Sequence, residues 1–427
     1  MASNTRRSPR EFSFSRRQWL RSTFAGGLAS QLPLLAQASP APRPKRRVAG
    51  IVTEYRRFSH ADVVIGKILN GWRQDGGDGP DLELVSLYTD QVPDGDLSRG
   101  LGEKHGFPLA KTIDEALTLG TDELVVDGVL SIGEHGDYPY TPDTKQHMYP
   151  RRRFFDQIVA TMQRCQQFVP LFNDKHLGYR WQDAKHMFDT ANQLGIPLMA
   201  GSSLPVAWRY PRQELPIGSH LNEVLAIGYG GLEAYGFHAL ETLQCLAERR
   251  HGGETGVKSV TVAQGDAIWQ AAEKGYWSKP LLDAALATFG ESGENLRERL
   301  EGNNAAFYLI EYSDGLRGTV AMLNGIASEF AAACQIQGEA TPFANWFRLE
   351  DTPHGHFEHL LRGIEQMVHT KKPAYPVERT LLTTGILDRV MHSVQQGGQT
   401  LMSPELEIHY QPSAWPFANL REENYPS

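Results

Sequence analysis

Between Val48 and Ala200 the chain alternates short apolar runs with stripes of helical period, and that alternation leaves few architectures open. The runs Val48–Val52, Asp81–Tyr88, Leu124–Val129, Val169–Phe172 and Ile196–Ala200 read as buried strands. Helical patterns fall between them, at His60–Leu69, Leu101–Gly106, Thr112–Leu119, Arg153–Gln167 and Arg180–Leu194. Thr112 opens its helix with Glu115 at the capping-box offset, while Asn70-Gly71 and Gly195 supply stops. Strands separated by helices pair in parallel. Residues 47–205 are therefore expected to form a Rossmann-like, doubly wound parallel sheet of α/β class. Ligands of such sheets gather where strands end. The polar clusters at Asn173–His176 and Gly201–Arg209 thus mark the expected site.

Residues 206–401 read differently. Val224–Gly228, Lys258–Ala263, Ala306–Tyr312 and Leu316–Leu323 have strand patterns, the last two joined by the hairpin signal Ser313-Asp314-Gly315. Gln335–Gly338 and Phe343–Phe347 are expected as further edges. Helices are expected at Glu233–Glu248, at Gly355–Met367 with His356 and His359 facing solvent, and at Val377–Gln395. The result is an α+β domain with a large open, mostly antiparallel sheet. One face of that sheet is left for a second copy of the chain, so a homo-oligomer is expected. Residues 402–427, with Pro404, Pro412 and Pro416, read as an extended tail over the surface.

Residues 1–38 have the order of a twin-arginine export signal. Arg16-Arg17 lead, the small and apolar stretch Ser22–Leu35 follows, and Ala36-Gln37-Ala38 supplies the cleavage site. Residues 39–46 are a linker. The expected location is the periplasm or another exported compartment, and the apolar stretch is too short and broken for a retained membrane span. Without the leader, 36 basic residues face 49 acidic ones, a net charge of −13, which disfavours nucleic acid as a partner. Cys165, Cys245 and Cys334 sit in apolar or helical contexts and read as core filling rather than as nucleophiles or a disulfide scaffold.

A dinucleotide fold places glycines in its first turn so that backbone can approach the pyrophosphate. Here the turn reads Gly50-Ile51-Val52-Thr53-Glu54-Tyr55, in which Gly50 alone fits the spacing. Gly50, Thr53 and Asp90, the last at the end of the second strand, are the candidate cofactor contacts. The long loop after the third strand carries Glu134, His135, Asp137 and His147, types suited to a metal or to acid–base work. His135, Asp137, His147 and His176 are the candidate ligands of a divalent metal. His135, Asp137, His176, Trp208, Arg209 and Glu241 are the candidate substrate contacts, Glu241 sharing a helix face with His238. Trp181, Trp208, Tyr210, Tyr138 and Tyr140 offer rings for stacking on a sugar.

Three segments resemble the Gfo/Idh/MocA family of sugar and cyclitol oxidoreductases. Asp174-Lys175-His176 stands where that family has Glu-Lys-Pro. Ala234-Tyr235-Gly236-Phe237-His238-Ala239-Leu240-Glu241 resembles its Asp-x-Gly-x-His-x-x-Asp run, and Tyr375-Pro376-Val377-Glu378-Arg379 its lead into the closing helix. The resemblance covers about Lys45 to Leu401. It implies hydride transfer between a sugar carbon and NAD or NADP, with Lys175 on the substrate hydroxyl and nicotinamide ribose and His238 as acid/base. The chain departs from the family at the glycine turn and at Ala234. The expectation is an exported, carbohydrate-acting oxidoreductase with a noncanonical NAD(P) turn. A non-redox lyase or hydrolase in the same cleft, with or without a metal, is the alternative, and a non-catalytic sugar-binding protein the second alternative.

Overall fold

The computed structural model describes residues 44–421. The segment expected to be an export signal and the start of the expected linker lie outside the described residues, as do the last six of the tail. The described part begins with β1 (Arg46–Val52), α1 (His60–Asn70), β2 (Leu82–Thr89), α2 (Ser98–His105), β3 (Leu109–Ala110) and α3 (Ile113–Thr118). Then come β4 (Gly128–Ile132), α4 (Arg151–Arg164), β5 (Leu171–Asp174), α5 (Trp181–Leu194) and β6 (Leu198–Gly201). These six strands form an all-parallel sheet in the order β3-β2-β1-β4-β5-β6. The order reverses between β1 and β4, and a crevice opens there at the strands' carboxyl ends.

Period-two alternation decides which helix covers which face. Ala49 and Ile51 of β1 pack with Ile113, Phe154, Ile158 and Met187 of α3, α4 and α5. Val48 and Val52 point the other way, to Val64 and Ile65 of α1 and to Leu360, Ile364 and Met367. The last three belong to a helix far along the chain. Gly50 lies inside β1, where a Cβ would meet Leu87 at 2.8 Å and Ile65 at 2.9 Å, so its lack of a side chain serves packing.

The second half comprises β7 (Trp208–Tyr210), β8 (Leu221–Gly228), α6 (Ala234–Ala247), β9 (Val257–Gln264), α7 (Asp266–Glu273), α8 (Lys279–Ala287) and α9 (Leu296–Leu300). It continues with β10 (Ala306–Tyr312), β11 (Arg317–Met322), β12 (Phe330–Ile336), β13 (Phe343–Arg348), α10 (His356–Thr370), α11 (Glu378–Gln395), β14 (Leu401–Met402) and α12 (Ala418–Arg421). Its eight strands run β14-β9-β10-β11-β8-β12-β13-β7, antiparallel throughout except for the parallel pair β11–β8. A parallel sheet followed by a larger, mostly antiparallel one is the fold expected from the residue pattern.

Three expectations need correction. Part of the sheet face expected to await a second copy is covered within the chain, because α7, α8 and α9 pack Ile268, Leu281, Leu282 and Leu296 over Leu225, Ile227, Phe307 and Ala331, while the β9–β11 part borders an open hollow. Strand β12 is no edge but pairs with both β8 and β13. His356 and His359 are buried rather than solvent-facing, since α10 lies across the first sheet. Residues of the tail contribute to the core through Leu406, Tyr410 and Phe417. Among the described residues, no helix is long and apolar enough to cross a membrane. All three cysteines are unpaired; burial pushes the Cys245 thiol up to about 11 and that of Cys334 to about 12, so neither is a thiolate near neutrality.

Candidate active site

The strand ends of the first sheet and the first turn of α6 build one polar cleft. The turn after β1 delivers His60, the first residue of α1, behind the N-cap Ser59. The exit of β4 delivers Glu134, and β5 ends on Asp174, with Lys175 next. His60 Nδ1 lies 2.7 Å from Asp174 Oδ2 and 3.0 Å from Glu134 Oε2. The Lys175 ammonium donates to Glu134 Oε1. Burial alone would raise the Glu134 carboxyl, yet His60, Lys175 and His135 outweigh it and hold it well below the usual carboxylate range.

Two backbone conformations at the site are unusual for side-chain-bearing residues. Lys175 has φ 61° and His135 φ 69°, each costing on the order of 1 kcal/mol or more. The Lys175 turn is held by its N–H, which donates to the Gly201 carbonyl at 3.1 Å.

His238 enters from α6. Its ring centre is 6.4 Å from that of His60, and its Nδ1 is buried without a hydrogen-bond partner. Burial first, then the charges of Lys175 and His60, push its imidazole well below the ordinary range, so the ring is neutral at pH 7. Gly236 permits this placement: a Cβ there would meet the Tyr308 hydroxyl at 2.6 Å, and that hydroxyl donates to the Leu232 carbonyl. His176, next to Lys175, sits 2.8 Å from Arg151 Nη1. Burial and the adjoining Arg151 keep its imidazole neutral too.

Sequence reasoning missed Glu233, just ahead of α6. It lines a cleft of about 440 Å³ together with Tyr140, His147, Tyr149, Lys175 and His176. Burial lifts its carboxyl to about 7, against the pull of the His147 N–H, Arg151 and Lys175. Such a group can both take up and return a proton near neutrality. Its signal in the sequence is a carboxylate two residues after Gly231 of Gly230-Gly231, at a helix start. Asp174 lies within the expected polar cluster without a role of its own, and His60, the first residue of α1, carries no local signal at all. A larger hollow of about 810 Å³ lies between α7 and the β9–β11 region, lined by Thr261, Gln270, Tyr276, Glu311 and Arg317. It is far from the strand ends and gathers no comparable group of catalytic types.

The other expected site residues are dispersed. Of the expected metal ligands, His135 approaches Glu134 at 4.0 Å, and His147 is sandwiched by Tyr140 and Tyr149. Asp137 is exposed, its backbone held by the side chain of Gln91, and His176 is taken by Arg151. These four do not converge on one point. Glu241 accepts from the Ser202 N–H at 2.6 Å and the Ser202 hydroxyl at 2.7 Å, buried as a strut beneath β6. Arg209 is buried over the Phe417 ring and donates to the Pro205 carbonyl, away from the cleft. Trp208 stands on β7 against Tyr210 and His359. Trp181 packs against Gly385 of α11.

No family model matches the chain, and no curated protein sequence is significantly similar to it. Solved structures do resemble it in fold. GenD2 from gentamicin A biosynthesis, in complex with NAD, superposes with a TM-score of 0.53 at 14% identity, covering 85% of this chain and 99% of that one. Apo scyllo-inositol dehydrogenase from Lactobacillus casei gives 0.51 at 9%, covering 84% and 98%. A myo-inositol dehydrogenase from Corynebacterium glutamicum gives 0.51 at 13%, with the same coverage. The chain shares the fold of these proteins over nearly their whole length.

The residues at the nucleotide position do not fit a dinucleotide. Gly50 is within the strand, not the turn. Tyr55 fills the turn with a fully buried side chain, and the buried Glu54 carboxylate pairs with Arg56. At the start of α1, the Phe58 N–H already donates to Asp62 Oδ2 at 2.9 Å, which places a carboxylate where a pyrophosphate would seek free amides. Thr53 donates its hydroxyl to the Glu134 carbonyl. Asp90 receives the Tyr88 hydroxyl at 2.7 Å, the Tyr138 hydroxyl at 2.6 Å and Arg153 Nη2 at 2.6 Å, so both its oxygens are already engaged by the chain's own donors.

Proposed function

We propose that this chain is an exported carbohydrate-transforming enzyme, of Gfo/Idh/MocA-like fold, whose cleft works by proton transfer as a lyase or hydrolase. The observation that carries the reading is a juxtaposition. Lys175 and Glu233 line one cleft, and His238 stands beside it, near enough to His60 and Lys175 for their charges to act on its imidazole, while the turn and strand end that a dinucleotide needs are filled by the chain's own side chains. Abstraction of a proton beside a carbonyl requires a base and a stabiliser of the oxyanion. The neutral imidazole of His238 takes the proton, and the ammonium of Lys175 meets the charge growing on the carbonyl oxygen. Glu233, partly protonated near neutrality, returns a proton to the departing oxygen. The rings of Tyr140 and Tyr149 at the cleft wall suit a sugar face.

Sugar oxidation with NAD or NADP is the second reading, favoured by the same Lys175–His238 pair and by the NAD complex of GenD2. Incubation with a panel of sugars and their keto derivatives, with and without added NAD+ and NADP+, separates the two when products are followed by mass spectrometry. Turnover without nucleotide is expected. Lys175→Ala and His238→Ala should each lower it by at least about 100-fold. Turnover that depends on added nucleotide would transfer the site to the second reading.

A further inference from the structure

We infer that His60, Glu134 and Asp174 bind one first-row divalent cation, of the Mn2+ or Zn2+ kind, at the carboxyl ends of the first sheet's strands. The three come from separate strand exits, yet one ligand atom from each lies within 4.8 Å of the others. The spacings from His60 Nδ1, 2.7 Å to Asp174 Oδ2 and 3.0 Å to Glu134 Oε2, suit adjacent corners of one coordination sphere. With metal–ligand bonds of about 2.1 Å, adjacent donors of an octahedron stand about 3.0 Å apart. An imidazole with two carboxylates is a nitrogen–oxygen donor set, which suits first-row divalent ions better than thiophilic ones.

A second observation points to a ligand. Asp174 is fully buried, and its Oδ1 has no hydrogen-bond partner while its Oδ2 meets His60 Nδ1; Glu134 is nearly as buried, and its Oε2 has in reach only that same ring nitrogen, already spent on Asp174. Buried carboxylate oxygens are costly to leave so. The Lys175 ammonium takes only Glu134 Oε1, the oxygen turned away from His60. The ring of His60 is wedged against Phe357, with centres 4.8 Å apart, which fixes its plane. The other His/carboxylate group of this size, Asp81 with Glu365 and His369, is spent differently: Glu365 Oε1 accepts from the Asp81 N–H at 2.5 Å, and His369 Nε2 is 3.2 Å from the Asp81 carbonyl.

The inference rests on these three ligands and not on carbohydrate chemistry, so binding measured without any sugar tests it apart from the proposed function. The mature chain, stripped with chelator, is titrated calorimetrically with MnCl2 and with ZnCl2. One ion per chain is expected, with affinity at least about 100-fold weaker in Asp174→Asn and in Glu134→Gln and unchanged in His369→Ala. Thermal unfolding verifies that each variant is folded. Pulsed EPR of the wild-type Mn2+ form needs no variant and should show a single coordinating imidazole nitrogen. Absence of saturable binding by the wild type, absence of that nitrogen coupling, or binding retained in both carboxylate variants would overturn the site.

Discussion

Burial lifts the Glu241 carboxyl from 4.5 to about 7, against the hydrogen bonds of Ser202, the charge of Arg379 and the hydrogen bond of Thr380. The folded chain therefore binds a proton that the unfolded chain releases between those values. Its contribution to stability is fully present below the unfolded pKa and is lost as pH rises through about 7. Glu241→Gln removes this titration, so the variant should gain on the wild type as pH rises from about 5 to about 8, by on the order of 2 kcal/mol in thermal or urea unfolding. A constant difference across that range would contradict the assignment. Glu241 also shows a limit of reading residues by spacing. Its three-residue offset from His238 correctly puts both on neighbouring parts of α6, but only packing reveals that Glu241 meets β6 while His238 meets His60. Lys175 and His238 were legible because each belongs to a local run with a glycine or strand end beside it. His60 and Asp174 gain their meaning from a juxtaposition across 114 positions, which no local pattern carries.

Helix α6 is pinned to β10 at Gly236, and this contact sets the position of His238. Gly236→Ala forces a methyl against the Tyr308 hydroxyl and should cost about 1–3 kcal/mol of stability, read from urea midpoints. It should lower turnover beyond the effect on folded fraction, since the first turn of α6 must shift. On the opposite face of the second sheet, Leu282 of α8 is fully buried over the strands. Leu282→Ala is expected to cost about 2–5 kcal/mol, whereas a face awaiting another subunit would lose far less. Elements with clear periodicity and caps were legible, as at Thr112, whose side chain does accept from the Glu115 N–H. The segment of α7–α9 gave no such reading: α9 has only five residues, and α7 and α8 are short. Strand β4 begins at Gly128, later than its apolar lead-in, because Val125 donates to the Leu117 carbonyl before the ladder starts. The burial of His356 and His359 was hidden because α10 returns to the first sheet from the far end of the chain.

At the scale of the whole molecule, one apolar core runs from α3–α5 through α11 to the second sheet, and α10 closes the outer face of the first. The two sheets are thereby locked around the cleft. This shared core gives the fold of the dehydrogenases it resembles, while the β1–α1 turn and the Asp90 cluster give up the nucleotide position. On the proposed reading, fold and chemistry separate at those few residues. Titration of the purified protein with NAD+, NADH, NADP+ and NADPH by calorimetry, with native mass spectrometry of the untreated protein, tests this most directly. The expected result is a nucleotide-free chain with no saturable binding up to about millimolar concentration, roughly the weakest affinity that would matter. One dinucleotide retained per chain, or micromolar binding that falls when Asp90 is changed to alanine, would contradict it.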